Sequence, residues 1–548
     1  MKKKVLLGLL CMTIAAALFG CGNGSSSDEN QSSNDNSSTD VTFEPWSENV
    51  TLSWWLIGGT AEYYQHYFAE MKGWQEIQDR TNITIDFQVQ TNNDNYLPMM
   101  TAATYPDIVT ANHYSMYPGR LNQLYLDEIA IAFNDYMDEY MPNFCNILKE
   151  YPTIARDLQV EDGKYIFAST LYDIDNEEDR MANSVYGLAI REDWLDTVGL
   201  DMPTNMSEWY EVLKAFKTMD PNGNGEQDEE PICMASSGWK YFLVAYGIGD
   251  DPILDENGQV YYGYATENYK EFLADMNRWN NESLFYNWFK KSTLVDQEER
   301  FVGNFAGTIK TQADELDTDD PESYISKLRQ TVPEAKLTAA PWPKTTDGDE
   351  LCFSQIASFG TDTTIITSNC KNPDAACYFI DYLYSEEGSN LLSWGIEGES
   401  YEVVNGEKQM KEGMDEDVEF YDTTIKQRYT YADPTTIGFP MFKTFASNIL
   451  ASKSDSYVEA CRTWAQGDTS YRMPYAVMLN DKQTATIDDL ENTMKDYIRD
   501  ERQKFIEGTN PLTNYDKYLE QLDLLGVDQY VEIWQECYDA YMARKVER

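Results

Sequence analysis

Asn49-Val-Thr-Leu-Ser-Trp-Trp-Leu-Ile57 runs into Gly58-Gly59, and beyond the glycines the hydrophobic period of the chain changes. The stretch is a short apolar run closed by turn residues, which predicts a buried strand. Glu62–Arg80 then sets Tyr63, Tyr67, Met71, Trp74 and Ile77 at helical intervals. Asn82-Ile-Thr-Ile-Asp-Phe-Gln-Val89 alternates strictly and predicts a second strand. Tyr96–Ala103 reads as a short helix, and Pro106-Asp-Ile-Val-Thr-Ala111 as a third strand. A strand–helix–strand–helix–strand order argues for a parallel sheet with crossover helices. Ligands of such sheets sit beyond the carboxyl ends of the strands, which here present Trp55–Thr60 and Asn112–Tyr117.

A second unit starts near Val185-Tyr-Gly-Leu-Ala-Ile190, a predicted strand. Helices are expected at Met206–Met219, capped by Asn205 or Ser207, and at Tyr269–Asn280 and Ser323–Thr331. Phe305–Lys310 reads as a strand, and Leu337–Ala340 and Ile356–Ile366 are expected to return the chain to the first sheet. Asp374–Trp394 is a long amphipathic helical region. Downstream, Thr486–Phe505, Asn514–Leu525 and Val527–Arg544 read as helices.

Upstream of the first strand, Lys2, Lys3 and Lys4 precede an uncharged apolar run, Val5–Phe19, and Gly20-Cys21. This is the pattern of a secretory signal over residues 1–20, and the run is too short to span roughly 30 Å of hydrocarbon. Cys21 as first mature residue resembles the lipobox of bacterial lipoproteins, whose thiol carries a diacylglyceryl group. Residues 21–45 are expected to be a tether: Gly22–Asp40 has no aromatic or large aliphatic side chain to offset ordering entropy. Its end-to-end reach is roughly 25 Å. The expected location is the extracellular face of a cell membrane, in a bacterium without an outer membrane.

Of the 548 residues, 94 are Asp or Glu and 42 Lys or Arg, a net charge of −52. Phosphate backbones would be repelled, so a nucleic-acid partner is excluded. The cysteines outside the leader are widely spaced and contain no CxxC pair, which fits small buried hydrophobes better than a disulfide framework. Two histidines, His66 and His113, exclude a multi-histidine zinc site.

Asp220-Pro-Asn222-Gly-Asn224-Gly225-Glu226-Gln-Asp228-Glu229-Glu230 is the one metal motif. Oxygen ligands at positions 1, 3 and 5 with Gly at 6 follow the start of an EF-hand loop. Pro231 stands where the bidentate Glu is usual, and Asp228 and Glu229 can replace it in a tighter loop. The expected ion is a structural calcium.

Tyr105-Pro-Asp-Ile-Val, Tyr186-Gly-Leu-Ala-Ile-Arg-Glu-Asp-Trp-Leu, Pro203-Thr-Asn-Met-Ser-Glu-Trp, the Asp220 loop, Gly395-Ile-Glu-Gly-Glu-Ser-Tyr-Glu and Lys504-Phe-Ile-Glu-Gly follow one another in this order. Together they resemble the large solute-binding lipoproteins of ABC carbohydrate importers (family 1), over about residues 48–545. The calcium loop is similar to that of the alginate-binding relatives, which implies Asp220, Asn222, Asn224, Glu226 through its main chain, Asp228 and Glu229 as ligands. The resemblance implies an α/β, two-lobed, periplasmic-binding-protein-like clamp with a hinge, a ligand cleft and a helical C-terminal region. Residues 46–185 and 339–395 would form one lobe, and 186–338 and 396–548 the other. It implies a monomer that binds an oligosaccharide, meets ABC permease subunits and is not an enzyme.

Sugar recognition needs aromatic faces and hydroxyl-binding side chains. The candidates are Trp55, Asn112, His113, Tyr114, Trp239, Gln312, Asp314, Trp394 and Glu399, with Trp239 and Trp394 foremost. Core packing competes with stacking for each Trp, and Asn112, Gln312 and Asp314 could equally cap helices. A glycoside hydrolase, or a sensing or adhesion lipoprotein, is the alternative on this fold. The acidic composition, with no Arg/Lys cluster in the cleft loops, leans to a neutral sugar.

Overall fold

A computed structural model describes residues 43–57, 70–235, 238–285, 293–345, 358–414, 417–418, 423–425, 428–430, 439–442, 450, 453–468 and 470–546. Cys21, the leader 1–20, most of the 21–45 tether and the first turns of the helix expected from Glu62 lie outside the described residues.

In chain order the principal strands are β1 (Val50–Ile57), β2 (Ile83–Gln90), β3 (Ile108–Ala111), β4 (Phe167–Ala168), β5 (Tyr186–Arg191), β6 (Glu230–Ile232), β7 (Ala306–Gln312), β8 (Leu337–Ala339) and β9 (Thr363–Ile366). They form two sheets. The first has the order β2-β1-β3-β9-β4, with β1 parallel to β2 and β3, and β9 antiparallel to β3 and β4. The second has the order β8-β5-β7-β6. Leu337–Ala339 therefore does not return to the first sheet as expected; it pairs antiparallel with β5, and only Thr363–Ile366 crosses back. Both stretches are short and apolar, so nothing local distinguishes the sheet each one joins.

The opening run is buried on both faces, as a strand flanked by helices must be. Trp54 packs among Trp74, Phe87, Phe379 and Phe439, with ring centroids 5.3–6.2 Å away. Its indole N–H donates to Thr110 Oγ1 on β3 at 2.8 Å. Trp55, one residue on, faces the other side and meets Tyr96. α1 (Lys72–Thr81) supplies Trp74 and Ile77 to this core and stops at Asn82, whose left-handed backbone turns the chain straight into β2.

α2 (Met206–Thr218) is capped by Asn205, which accepts from the Glu208 amide at 3.0 Å. α3 (Glu267–Asn281) follows in the second lobe. The expected Asp374–Trp394 helix is two, α4 (Pro373–Tyr384) and α5 (Glu386–Ser393). Ser385 ends one and caps the other, accepting from the Gly388 amide at 3.0 Å. A Cβ at Gly388 would lie 2.1 Å from the Tyr382 carbonyl oxygen, so only glycine allows so tight a corner.

α6 (Asp455–Trp464) lies on the second sheet, and the indole of Trp464 occupies the space that a Cβ at Gly187 would need. α7 (Asp481–Ile506) starts at an Asn480–Gln483 capping box, five residues before the expected start. α8 (Tyr515–Leu525) and α9 (Val527–Met542) complete the helical C-terminal region. Part of the stretch expected in the second lobe belongs to the first. Phe439 enters the Trp54–Trp74 core, and Met441–Phe442 pairs with Thr170–Leu171. No helix among the described residues is long and apolar enough to cross a membrane.

Candidate functional site

A cavity of about 540 Å³ is lined from both lobes. Tyr114 and Arg120, just past the carboxyl end of β3, come from the first lobe. The 240–253 segment, Lys310 of β7, Trp342, residues 472–477, Ile487 and Glu491 of α7, and Trp534 of α9 supply the rest. Two aromatic pairs shape it. Tyr241 and Trp342 are nearly parallel, 3° between planes and 5.4 Å between centroids. Tyr114 and Tyr475 lie 4.3 Å apart. The Trp342 indole N–H is anchored on the Trp464 carbonyl at 2.8 Å, which fixes the ring.

Charges surround these rings. Lys240 pairs with Asp250 at 2.5 Å, and Glu491 with Lys495 at 2.6 Å. Burial raises the Asp251 carboxyl, opposed by the charges of Lys495 and Arg472. Burial lowers the Lys310 ammonium, which stands over the rings of Tyr186 and Tyr241 at 4.5 and 5.7 Å. Arg120 stacks on Tyr114, its guanidinium carbon 4.4 Å from the ring centroid. Arg120 holds a left-handed backbone, φ 62°, which costs a non-glycine residue on the order of 1 kcal/mol or more.

Of the sequence candidates, Tyr114 alone lines this cavity. Trp55 and Trp394 are inside the core, the latter against Tyr401. His113 is fully buried, its Nδ1 accepting from the Tyr96 hydroxyl at 2.6 Å, and burial lowers its pKa to about 4. Asn112 caps the turn that follows it, accepting from the Ser115 amide at 3.1 Å. Trp239 packs on Phe272 with the Arg502 guanidinium over its face. Gln312 ends β7 away from the cavity lining. Asp314 is paired with Lys453 at 2.5 Å, and Glu399 with Lys72 at 2.7 Å. The strand-end rule leads to the loop after β3, where the chain turns inward at His113 and brings Tyr114 to the cavity.

Trp342 was missed although it carried a local signal. Pro341 and Pro343 flank it, so it can belong to no helical stripe and must be displayed on an extended connection. The four basic residues of the lining, Arg120, Lys240, Lys310 and Arg472, are far apart in sequence; no cleft loop shows a cluster, and the fold assembles one.

The Asp220 loop closes on itself. Asp220 accepts from the amides of Asn224 (3.2 Å) and Gly225 (3.0 Å), and Asn222 Oδ1 from the Asn224 amide (3.0 Å). Asp228 receives the side-chain amides of Asn222 and Asn224 at 3.0–3.1 Å. Among the described residues no three His, Cys, Asp or Glu side chains converge as a metal cluster. An EF-type site, however, draws on Asn and main-chain oxygens as well. Glu229 tests the fit: it is fully buried, and neither carboxylate oxygen has a hydrogen-bond partner. Burial raises its pKa, and the charges of Asp220 and Asp228 add to the effect. A buried carboxylate without donors, beside two more acids, fits a hard cation.

With this geometry in place, the comparisons decide the family. The family model for bacterial extracellular solute-binding proteins matches residues 65–390. The chain belongs to that family. It is therefore a binding protein and not an enzyme. The chain is 26% identical to the fructooligosaccharide ABC transporter substrate-binding protein FusA of Streptococcus pneumoniae, over 76% of this chain and 77% of FusA. It is 22% identical to the polygalacturonan/rhamnogalacturonan-binding protein YtcQ of Bacillus subtilis, over 98% and 99%. The structure of the alginate-binding protein AlgQ2 without calcium ion superposes with TM-score 0.63, 21% identity, and 90% and 99% coverage. The fold is thus the two-domain clamp of periplasmic binding proteins.

Proposed function

We propose that this solute-binding protein captures an oligosaccharide between its lobes and delivers it to an ABC importer. The observation that carries the reading is the cavity: two aromatic pairs, one from the second lobe and one spanning from Tyr114 to Tyr475, ringed by charged side chains. Flat apolar faces suit the C–H surface of a pyranose or furanose, and a polar ring suits its hydroxyls. The names of FusA and YtcQ, both oligo- or polysaccharide binders, support the same class. Closure of the lobe built on the first sheet onto the lobe built on the second, as a monomer, would present the loaded shape to the permease. Cys21, lipid-modified, would hold the protein at the extracellular face of the membrane within tether reach of that partner.

Calcium belongs to this reading as a structural ion. Asp220, Asn222, Asn224, Asp228 and Glu229 would hold it through side-chain oxygens and Glu226 through its carbonyl. Its charge would compensate the buried Glu229 carboxylate. Titration calorimetry against neutral and acidic oligosaccharides tests the function: saturable heat without release of new reducing ends is the expected result. No binding to any oligosaccharide, or sugar cleavage at catalytic rates, would overturn it.

A further inference from the structure

Net charge sharpens what the cavity should select. A chain of net charge −52, with acids outnumbering bases by 94 to 42, does not lead one to expect a basic cavity. Yet the lining holds Arg120, Lys240, Lys310 and Arg472 against Asp250, Asp251 and Glu491. Asp250 is paired with Lys240 and Glu491 with Lys495, and the charges of Lys495 and Arg472 act on Asp251. Two cations remain in excess, Arg120 from the first lobe and Lys310 from the second. Among the described residues neither has a carboxylate partner; Arg120 meets the Tyr114 hydroxyl and ring, and Lys310 the rings of Tyr186 and Tyr241.

Half-burying an ammonium on aromatic faces without an anion is costly, and holding Arg120 in the left-handed region adds strain. Neither arrangement is needed to bind a neutral sugar. Both are accounted for if a ligand anion completes them. We propose that the cavity selects an acidic oligosaccharide, a chain of uronic acid residues, whose carboxylates are received by Arg120 and Lys310. Arg120 offers the planar fork that matches a carboxylate, and Lys310 a point charge on the facing lobe's sheet. An anion held by one cation from each lobe also ties ligand binding to clamp closure. The proposal rests on the oligosaccharide reading above and replaces the neutral sugar expected from composition.

The test is calorimetry of the calcium-loaded protein with trigalacturonate, trimannuronate and triguluronate, each beside its methyl ester, and with neutral kestose and cellotriose. The expected result is at least one acid bound tenfold or more tightly than its own ester, with affinity falling as sodium chloride is raised. Arg120→Gln and Lys310→Met should each abolish that acid-over-ester ratio while melting within a few degrees of wild type. Arg120→Lys should restore part of the ratio, because charge returns without the fork. Equal affinity for acid and ester, or binding of kestose or cellotriose with no acid bound, overturns the charge selection and leaves oligosaccharide capture standing. Binding of none of the eight overturns both.

Discussion

Substituting Glu229 by Gln should change the sign of its effect with calcium. Without the ion, wild type carries a buried carboxylate with no donor, next to Asp220 and Asp228. Gln keeps the shape and removes the charge, so in excess chelator the variant should melt at or above the wild-type temperature. With calcium at about one hundred times its dissociation constant, native-state binding adds about 2.7 kcal/mol to wild type. For a cooperative unit of about 150–250 residues, each kcal/mol moves Tm by roughly 2–4 °C, so the wild-type rise is about 5–11 °C. Glu229→Gln, lacking a charged ligand, should gain much less, and the two proteins should exchange rank. Differential scanning calorimetry in chelator and in calcium reads this directly. An equal calcium-induced rise in both proteins would show that Glu229 is no ligand. An equal deficit of the variant in both buffers would show a packing role only.

Three further outcomes are expected. Trp342→Ala should weaken oligosaccharide binding by about 1–3 kcal/mol, as loss of an aromatic anchor does; Trp342→Phe should recover most of this in calorimetry despite losing the bond to Trp464, and equal losses in both would refute stacking. His113, with pKa about 4 folded against 6.5 unfolded, is neutral in the native state. The unfolded chain therefore binds more protons between these values, so this contribution is complete above pH 6.5 and falls by about 3 kcal/mol as pH drops to 4. His113→Gln keeps an acceptor for Tyr96, and urea melts should show its stability relative to wild type improving as pH falls; a pH-independent difference would contradict a buried neutral imidazole. Cys21→Ala should transfer the protein from the membrane fraction to the medium, and retention on membranes would reject the lipid anchor.

Local periodicity made the first sheet legible. The Trp54–Trp55 run, the alternation of Ile83–Gln90 and the short Ile108–Ala111 strand each report burial through their own spacing, and the parallel order followed. The Asp220 loop was legible for the same reason, since its partners lie within ten residues. Trp394 shows where such reasoning stops. It sits at the end of α5 beside a glycine turn, a position equally suited to a cleft or to a core, and packing against Tyr401 decides for the core. His113 and Tyr114 are neighbours with opposite fates, decided by a backbone turn that composition does not encode. The cavity walls come from seven segments spread between residues 114 and 534, so their charge balance exists only after folding.

The same long-range assembly constrains how the clamp can open. α9 is held to the second lobe by Gln535, which accepts from the Val260 amide at 2.7 Å, and by Tyr530 against Tyr262. One end later it is held to the first lobe. Tyr541 donates to Asp157 at 2.5 Å, and Arg544 and the Lys545 carbonyl bond Arg156 and Gln159. Asp157 is buried, and Ser358 is its other hydroxyl donor. Pulling Tyr541 away would leave a buried carboxylate short of a donor, at about 1–3 kcal/mol or more. A bend of α9 between Gln535 and Tyr541 would keep both anchors, Gln535 on Val260 and Tyr541 on Asp157. Opening should therefore pivot at this helix and keep its last turn on the first lobe. A pivot there would stand next to Trp534 of the cavity wall, where a ligand reaching from Arg120 to Lys310 would be felt.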